Sequence, residues 1–316
     1  MKNWEIGPFI KYEGNPVLSP SESGFDSWTT YNSAVCVKNG KFYMFYRAED
    51  RADLETDYCG TSRIGLAISD DGYNFERYDD NPVIDADEPH ELPGGVEDPR
   101  IVKFGDEWHM FYTAYNHPEN VFICRAISKD LINWTKTGPI FKKEFEAKIS
   151  NKSCAIVCNP QGEPVMINGK YHMYTNEFYA VSDNFYDWET VQRFAASKFS
   201  GPGEVCVAVT DYKEPGRDNI LLVIAGSLRN IYADKNYFYA ASQALYDRND
   251  PMNLLDHADD ACVFAEHPYE KSTDRLEGDA PARGTIFICS LFAHDNKWWM
   301  YYGASDKYTA LTTANV

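Results

Sequence analysis

Long apolar runs are missing from this sequence: nowhere in its 316 residues is there a stretch like the roughly 20 apolar residues that a membrane-spanning helix needs. The opening segment Met1-Lys2-Asn3-Trp4-Glu5-Ile6 also lacks the apolar centre of a signal peptide. The expected location is therefore cytoplasmic, with no membrane partner. Positive charge is scarce as well. Thirty Lys and Arg stand against 48 Asp and Glu, a formal net charge of −18, which repels a phosphate backbone and argues against nucleic acid as a partner. Histidine is sparse, and His90, His109, His117, His172, His257, His267 and His294 fall at no metal-ligand spacing. Of the eight cysteines only Cys154 and Cys158 lie close together, without a second pair, so buried reduced thiols are expected rather than a zinc site or disulfide staples. Gly94-Gly95 runs into Val96-Glu97-Asp98-Pro99 and lacks the Lys and Ser or Thr of a nucleotide loop. Neither a metal nor an organic cofactor is expected.

What the sequence does have is aromatic residues, 15% of the total, and these favour strands. They recur in a repeat. A polar turn followed by an aromatic-rich strand appears at Asn39 to Tyr46, Gly105 to Tyr112, Asn168 to Tyr174, Asp218 to Ala225 and Asp295 to Tyr302, with Met44, Met110, Met173, Val223 and Met300 as equivalent positions. An apolar strand precedes each copy, at Ala34 to Val37, Ile101 to Phe104, Pro164 to Ile167, Val205 to Val209 and Thr285 to Phe292, so each pair reads as a hairpin. After the first three copies comes a further strand ending in a turn that shares a Ser, an Asp and a late aromatic: Ser69 to Phe75, Ser128 to Trp134 and Ser182 to Trp188. The spacing leaves room for about four strands per copy. The expected fold is all-β, a five-bladed β-propeller forming one catalytic domain over residues 1–316, whose inner strands converge on a central site.

Polar residues that interrupt the apolar strand starts are the best functional candidates, because burying them requires partners or a purpose. They lie in Tyr31-Asn32-Ser33, Tyr46-Arg47-Ala48-Glu49-Asp50, Ser62-Arg63-Ile64-Gly65, Glu97-Asp98-Pro99-Arg100 and Gly303-Ala304-Ser305-Asp306. In this order and at these spacings the segments resemble glycoside hydrolase family 130, the β-mannoside phosphorylases and related β-mannosidases. The resemblance implies an enzyme that cleaves a β-linked mannoside, with Asp98 as the acid, acting through a hydroxyl of the sugar. It implies that Asn32, Ser33, Arg47, Arg63, Glu97, Arg100 and Asp306 form the substrate site. A homo-oligomer is compatible with it. Glycoside cleavage itself needs a proton donor and a nucleophile on the opposite face of the sugar.

The nucleophile divides two expectations. Phosphorylases of the family hold inorganic phosphate, their co-substrate, with a basic cluster. In this sequence Lys152 stands at one such position, while Asn176 and Ala225 fall where phosphate contacts are expected and Glu177 would repel phosphate. Loss of charge-assisted hydrogen bonds weakens phosphate binding, so inverting hydrolysis is the first expectation, with Glu204 or Glu277 as general base, and phosphorolysis to mannose 1-phosphate the alternative. A non-catalytic carbohydrate-binding propeller is the reading from another class. Five-bladed arabinanases or fructosidases would place an early Asp as base, for which Asp26 and Asp50 are the nearby residues.

Overall fold

In the computed structural model the described residues are 1–50, 60–116, 120–194, 203–213, 219–226, 237–271 and 284–316. After a two-residue strand β1 (Ile10–Lys11), the chain forms antiparallel meanders in succession. The first contains β2 (Thr29–Lys38), β3 (Lys41–Glu49), β4 (Arg63–Ser69) and β5 (Glu76–Arg77). The second contains β6 (Gly95–Phe104), β7 (Glu107–Asn116), β8 (Asn120–Ser128) and β9 (Thr135–Pro139), and a short helix α1 (Lys142–Glu146) follows it. The third contains β10 (Cys154–Cys158), β11 (Tyr171–Thr175), β12 (Phe178–Ser182) and β13 (Glu189–Arg193). The fourth contains β14 (Gly203–Val209), β15 (Ile220–Gly226), β16 (Tyr237–Tyr246) and β17 (Leu254–His257). The last contains β18 (Gly284–His294), β19 (Lys297–Ala304) and β20 (Tyr308–Asn315), and β1 completes it by pairing Ile10 with Thr313.

The tight hairpins follow from their turn residues. Asn39-Gly40, Asn168-Gly169 and Asp295-Asn296 all take positive φ at both positions, the twist that two-residue β-hairpins favour. The marker residues Met44, Met110, Met173, Val223 and Met300 are fully buried, each burial being worth about 1.5–3 kcal/mol. The apolar residues gather in clusters that each bridge two successive meanders. Phe45 and Leu66 pack with Met110 and Tyr112, Phe111 with Met173 and Phe185, Tyr174 with Leu222 and Ile224, and Val223 with Ile288 and Met300. Met44 and Tyr46 of the first meander pack with Trp299 and Tyr301 of the last. The late aromatics repeat this neighbour relation: Trp134 lies against Phe45, Trp188 against Phe111 and Phe75 against Tyr301.

Two details of the expected repeat change. The first strand of the third meander is Cys154–Cys158 rather than Pro164 to Ile167. The latter segment, containing Pro164, makes only isolated bridges from Pro164 to Cys158 and from Ile167 to Lys170, as a proline in a strand context favours. In the shared turn, the carboxylate of Asp71 accepts the backbone N–H of Tyr73 and Asn74, and Asp130 does the same for Ile132 and Asn133. In the third copy the side-chain oxygen of Asn184 takes this role, not Asp183.

Candidate active site

The strands β2 and β6 begin irregularly, and their irregularities carry the polar residues. The register between β2 and β3 shifts across Asn32 and Ser33, and that between β6 and β7 shifts across Asp98 and Pro99. Asn32 and Asp98 both have left-handed backbones, with φ of 47° and 50°, and Ser153, just before β10, has φ of 56°. Such bulges bend the strand and re-aim a side chain at a cost in backbone strain. Their effect here is to bring Asn32 Nδ2 to 2.7 Å from Asp98 Oδ1, between residues 66 apart in sequence. The approach requires Gly303: a Cβ there would lie 2.0 Å from the Asn32 side-chain oxygen.

Around Asp98 the charges interlock. Arg47 donates from Nη1 to Asp98 Oδ1 at 3.3 Å, and its Nη2 lies 2.8 Å from Glu97 and 2.9 Å from Glu49. Glu49 also accepts from Ser62 Oγ at 2.6 Å, Tyr31 Oη at 3.0 Å and Thr29 Oγ1 at 3.2 Å. Lys152 Nζ sits 3.2 Å from Glu97 and 3.7 Å from Asp98. Burial acts to raise the Asp98 pKa, but the charges of Lys152 and Arg47, the Asn32 hydrogen bond and the charge of Arg100 outweigh it and hold the carboxyl down at about 2. At neutral pH Asp98 is therefore an ionised, buried hydrogen-bond acceptor.

Glu204 begins the same end of the fourth meander. Its carboxylate accepts the Ser153 hydroxyl, one residue from Lys152. The charges of Glu204, Lys152 and Asp306 all bear on the phenol of Tyr239, whose pKa is raised by burial first and then by Glu204. These residues therefore approach one another from the third, fourth and last meanders. Glu277 lies outside the described residues.

Several expected site residues take other places. Arg100 is buried, giving Nε to the Cys206 carbonyl and Nη1 to the carbonyls of Asp98 and Pro99, so it supports the Asp98 backbone. The Ser33 hydroxyl is buried 2.6 Å from that of Thr309, tying the first meander to the last. Arg63 turns to Asp85 at 2.9 Å and Asp50 at 3.6 Å. Asn176 accepts the Val205 N–H and Glu177 faces outward beside Arg193, so Glu177 is not directed at an anion in the site. The candidate segments contained Tyr31, Glu49 and Ser62 but gave them no role: Glu49 and Ser62 accept from Arg47, and Tyr31 donates to Glu49 with its ring against the guanidinium; Tyr239 was passed over. Glu49 had a signal, being a carboxylate at the end of an otherwise apolar strand.

Comparison with known proteins shows the family. Residues 11–316 match the family described as beta-1,4-mannooligosaccharide phosphorylase. The chain belongs to glycoside hydrolase family 130. Membership makes it a glycoside-processing enzyme. It is 30% identical over 301 residues to a 1,2-beta-oligomannan phosphorylase of Thermoanaerobacter sp. strain X514, covering 92% of each chain. A solved glycosyl hydrolase from Bacteroides ovatus is 30% identical with a TM-score of 0.86, over 100% of this chain and 95% of that one. Another, from work on family members that hydrolyse β-1,2-mannosidic linkages in Candida mannan, has 30% identity and a TM-score of 0.86, over 100% and 96% of the two chains.

Proposed function

We propose that this family 130 chain cleaves β-linked mannosides, with Asp98 as the acid and Asn32, Arg47 and Lys152 holding it and the sugar. The observation that carries the reading is the buried Asp98 carboxylate, which meets Asn32, Arg47 and Lys152 from two other meanders. In the free protein it is ionised, so it takes up its proton only once a bound sugar shields it from those cations. A neighbouring sugar hydroxyl can then pass the proton to the glycosidic oxygen. The framework we propose for this is the five-bladed propeller, with residues 1–316 as one catalytic unit. Its support is the series of apolar clusters between successive meanders, with one more between the last and the first.

The family description and the curated relative favour phosphate as the nucleophile, and phosphorolysis to mannose 1-phosphate is the reading that the comparisons support over the expected hydrolysis. Glu204 favours the second reading. It adds a carboxylate near Lys152, whose ammonium already faces Glu97 and Asp98. A dianion is disfavoured among so many carboxylates, whereas water needs a base such as Glu204. Asp306 and the remaining sugar contacts serve either reaction. The test is a panel of β-mannosides with and without inorganic phosphate, scoring mannose against mannose 1-phosphate. Mannose 1-phosphate formed only with phosphate establishes phosphorolysis. Mannose released without phosphate, and abolished by Glu204→Gln, establishes hydrolysis, and no turnover of any β-mannoside overturns the substrate class.

A further inference from the structure

The turn between β19 and β20 contains a residue ill-suited to its backbone. Ser305 and Asp306 both have left-handed conformations, with φ of 52° and 54°, and the Lys307 N–H closes the turn on the Ala304 carbonyl at 3.1 Å. Such turns favour glycine, asparagine and aspartate, and the chain uses Asn39-Gly40 and Asn168-Gly169 for two others. Aspartate is at home there. A serine is not, and it carries a steric cost that glycine would avoid.

Ser305 is held in place by its neighbours. Its N–H donates to the Thr285 carbonyl of β18 at 2.9 Å, and its hydroxyl donates to the Tyr269 carbonyl at 2.7 Å. Tyr269 lies on the short 3-10 turn Pro268–Glu270, which the buried Glu270 carboxylate fastens. That carboxylate accepts the Tyr302 hydroxyl at 2.7 Å and the N–H groups of Glu266 and His267 at 2.7 and 2.8 Å. From the other side Thr30, two residues before Asn32, donates its N–H to the Lys307 carbonyl at 2.9 Å. The backbone contacts would survive Ser305→Gly; the hydroxyl contact would not. What this clamp presents is Asp306, whose charge bears on Tyr239 together with those of Glu204 and Lys152. Gly303, against which Asn32 packs, lies three residues earlier.

We propose that, within the sugar site assigned above, Ser305 is a positioning residue: its hydroxyl, anchored on the Tyr269 carbonyl, fixes the strained turn so that the Asp306 carboxylate faces the bound sugar. Serine kept where glycine would serve folding is the pattern of a site that gives up stability for preorganisation.

The test compares kcat/KM, on the β-mannoside that the wild type turns over best, and Tm for Ser305→Gly, Asp306→Ala and the double variant. Ser305→Gly should keep Tm within about 2 °C of the wild type, because relief of the left-handed strain offsets the lost hydrogen bond. Its kcat/KM should nevertheless fall roughly tenfold or more as Asp306 loses its fixed direction. In the Asp306→Ala background the same substitution should cost nothing further, since residues acting through one group are not additive. Unchanged kcat/KM in Ser305→Gly beside an impaired Asp306→Ala overturns the positioning role and leaves the sugar site standing. An equal loss in both backgrounds also overturns it and assigns the hydroxyl to folding. Wild-type kcat/KM in Asp306→Ala removes Asp306 from the sugar site, and the role of Ser305 with it. Should Ser305→Gly fail to fold, Ser305→Ala, which removes the oxygen alone, carries the same kinetic test.

Discussion

Asp98 shows how much a single side chain depends on its immediate charges. Its depressed pKa comes from Lys152 and Arg47 acting against burial, so removing one cation should raise it. Lys152→Met is expected to move the alkaline limb of the kcat profile, the limb set by an acid that must hold its proton in the sugar complex, to higher pH, measured on the mannoside that the enzyme turns over best. The direction follows because the lost ammonium stabilised only the ionised carboxylate. Asp98→Asn should lower kcat by roughly 10³-fold, within the range of general acid catalysis, while sugar binding measured by calorimetry persists. Lost binding together with unchanged residual turnover would remove Asp98 from the acid role. The segment Glu97-Asp98-Pro99-Arg100 could be marked in the sequence because it interrupts an apolar strand, and the family resemblance then singled out Asp98 within it. That Arg100 would bind carbonyls behind Asp98 could not, because an arginine's direction is set by backbone curvature that no local pattern encodes.

The bulged strand start is the element that makes the site. Asn32 and Asp98 sit at register shifts with left-handed backbones, and Gly303 of the last meander leaves the room that Asn32 occupies. Gly303→Ala should displace the Asn32 side chain and lower kcat/KM tenfold or more, with a smaller effect on Tm. A crystal structure of the variant with Asn32 unmoved and activity intact would refute this coupling. The hairpins themselves were legible in Asn39-Gly40, Asn168-Gly169 and the aromatic strands that follow them. The first strand of the third meander was not, because Cys154–Cys158 and the Pro164 to Ile167 segment are both short and apolar, and it is the pairing of the former with β11 and with β14, through Val157 and Ala208, that distinguishes them.

At the scale of the whole molecule, the N-terminal strand completes the last meander. Lys11 reaches Glu270, whose side chain is fully buried, at 2.9 Å. Deleting residues 1–11 should remove the cation from that carboxylate, which keeps the Tyr302 hydroxyl and the N–H groups of Glu266 and His267, and expose the edge of β20, a destabilisation that is read as a lowered urea midpoint. Global stability should also depend on pH through His109, which lies among Phe104, Phe111 and Phe185 with neither ring nitrogen hydrogen-bonded among the described residues. Burial, helped by the charge of Arg125, lowers its pKa to about 4. Above the ordinary value of 6.5 neither the folded nor the unfolded form holds the proton. As pH falls from about 6.5 toward 4 the unfolded chain binds a proton that the folded one refuses, so stability declines across that window. His109→Phe should flatten this decline in urea titrations at several pH values, and an unchanged slope would assign it to other groups. The sequence by itself determined the strand-rich composition, the repeated hairpins and the ordered polar segments that mark the family, because alternation, turn chemistry and local spacing are written residue by residue. Only the tertiary structure decided which of those polar residues meet. The contacts of Asn32 with Asp98, of Lys152 with Glu97 and of Lys11 with Glu270 join distant parts of the chain, and they exist only once the packing of one meander against another has set the distances.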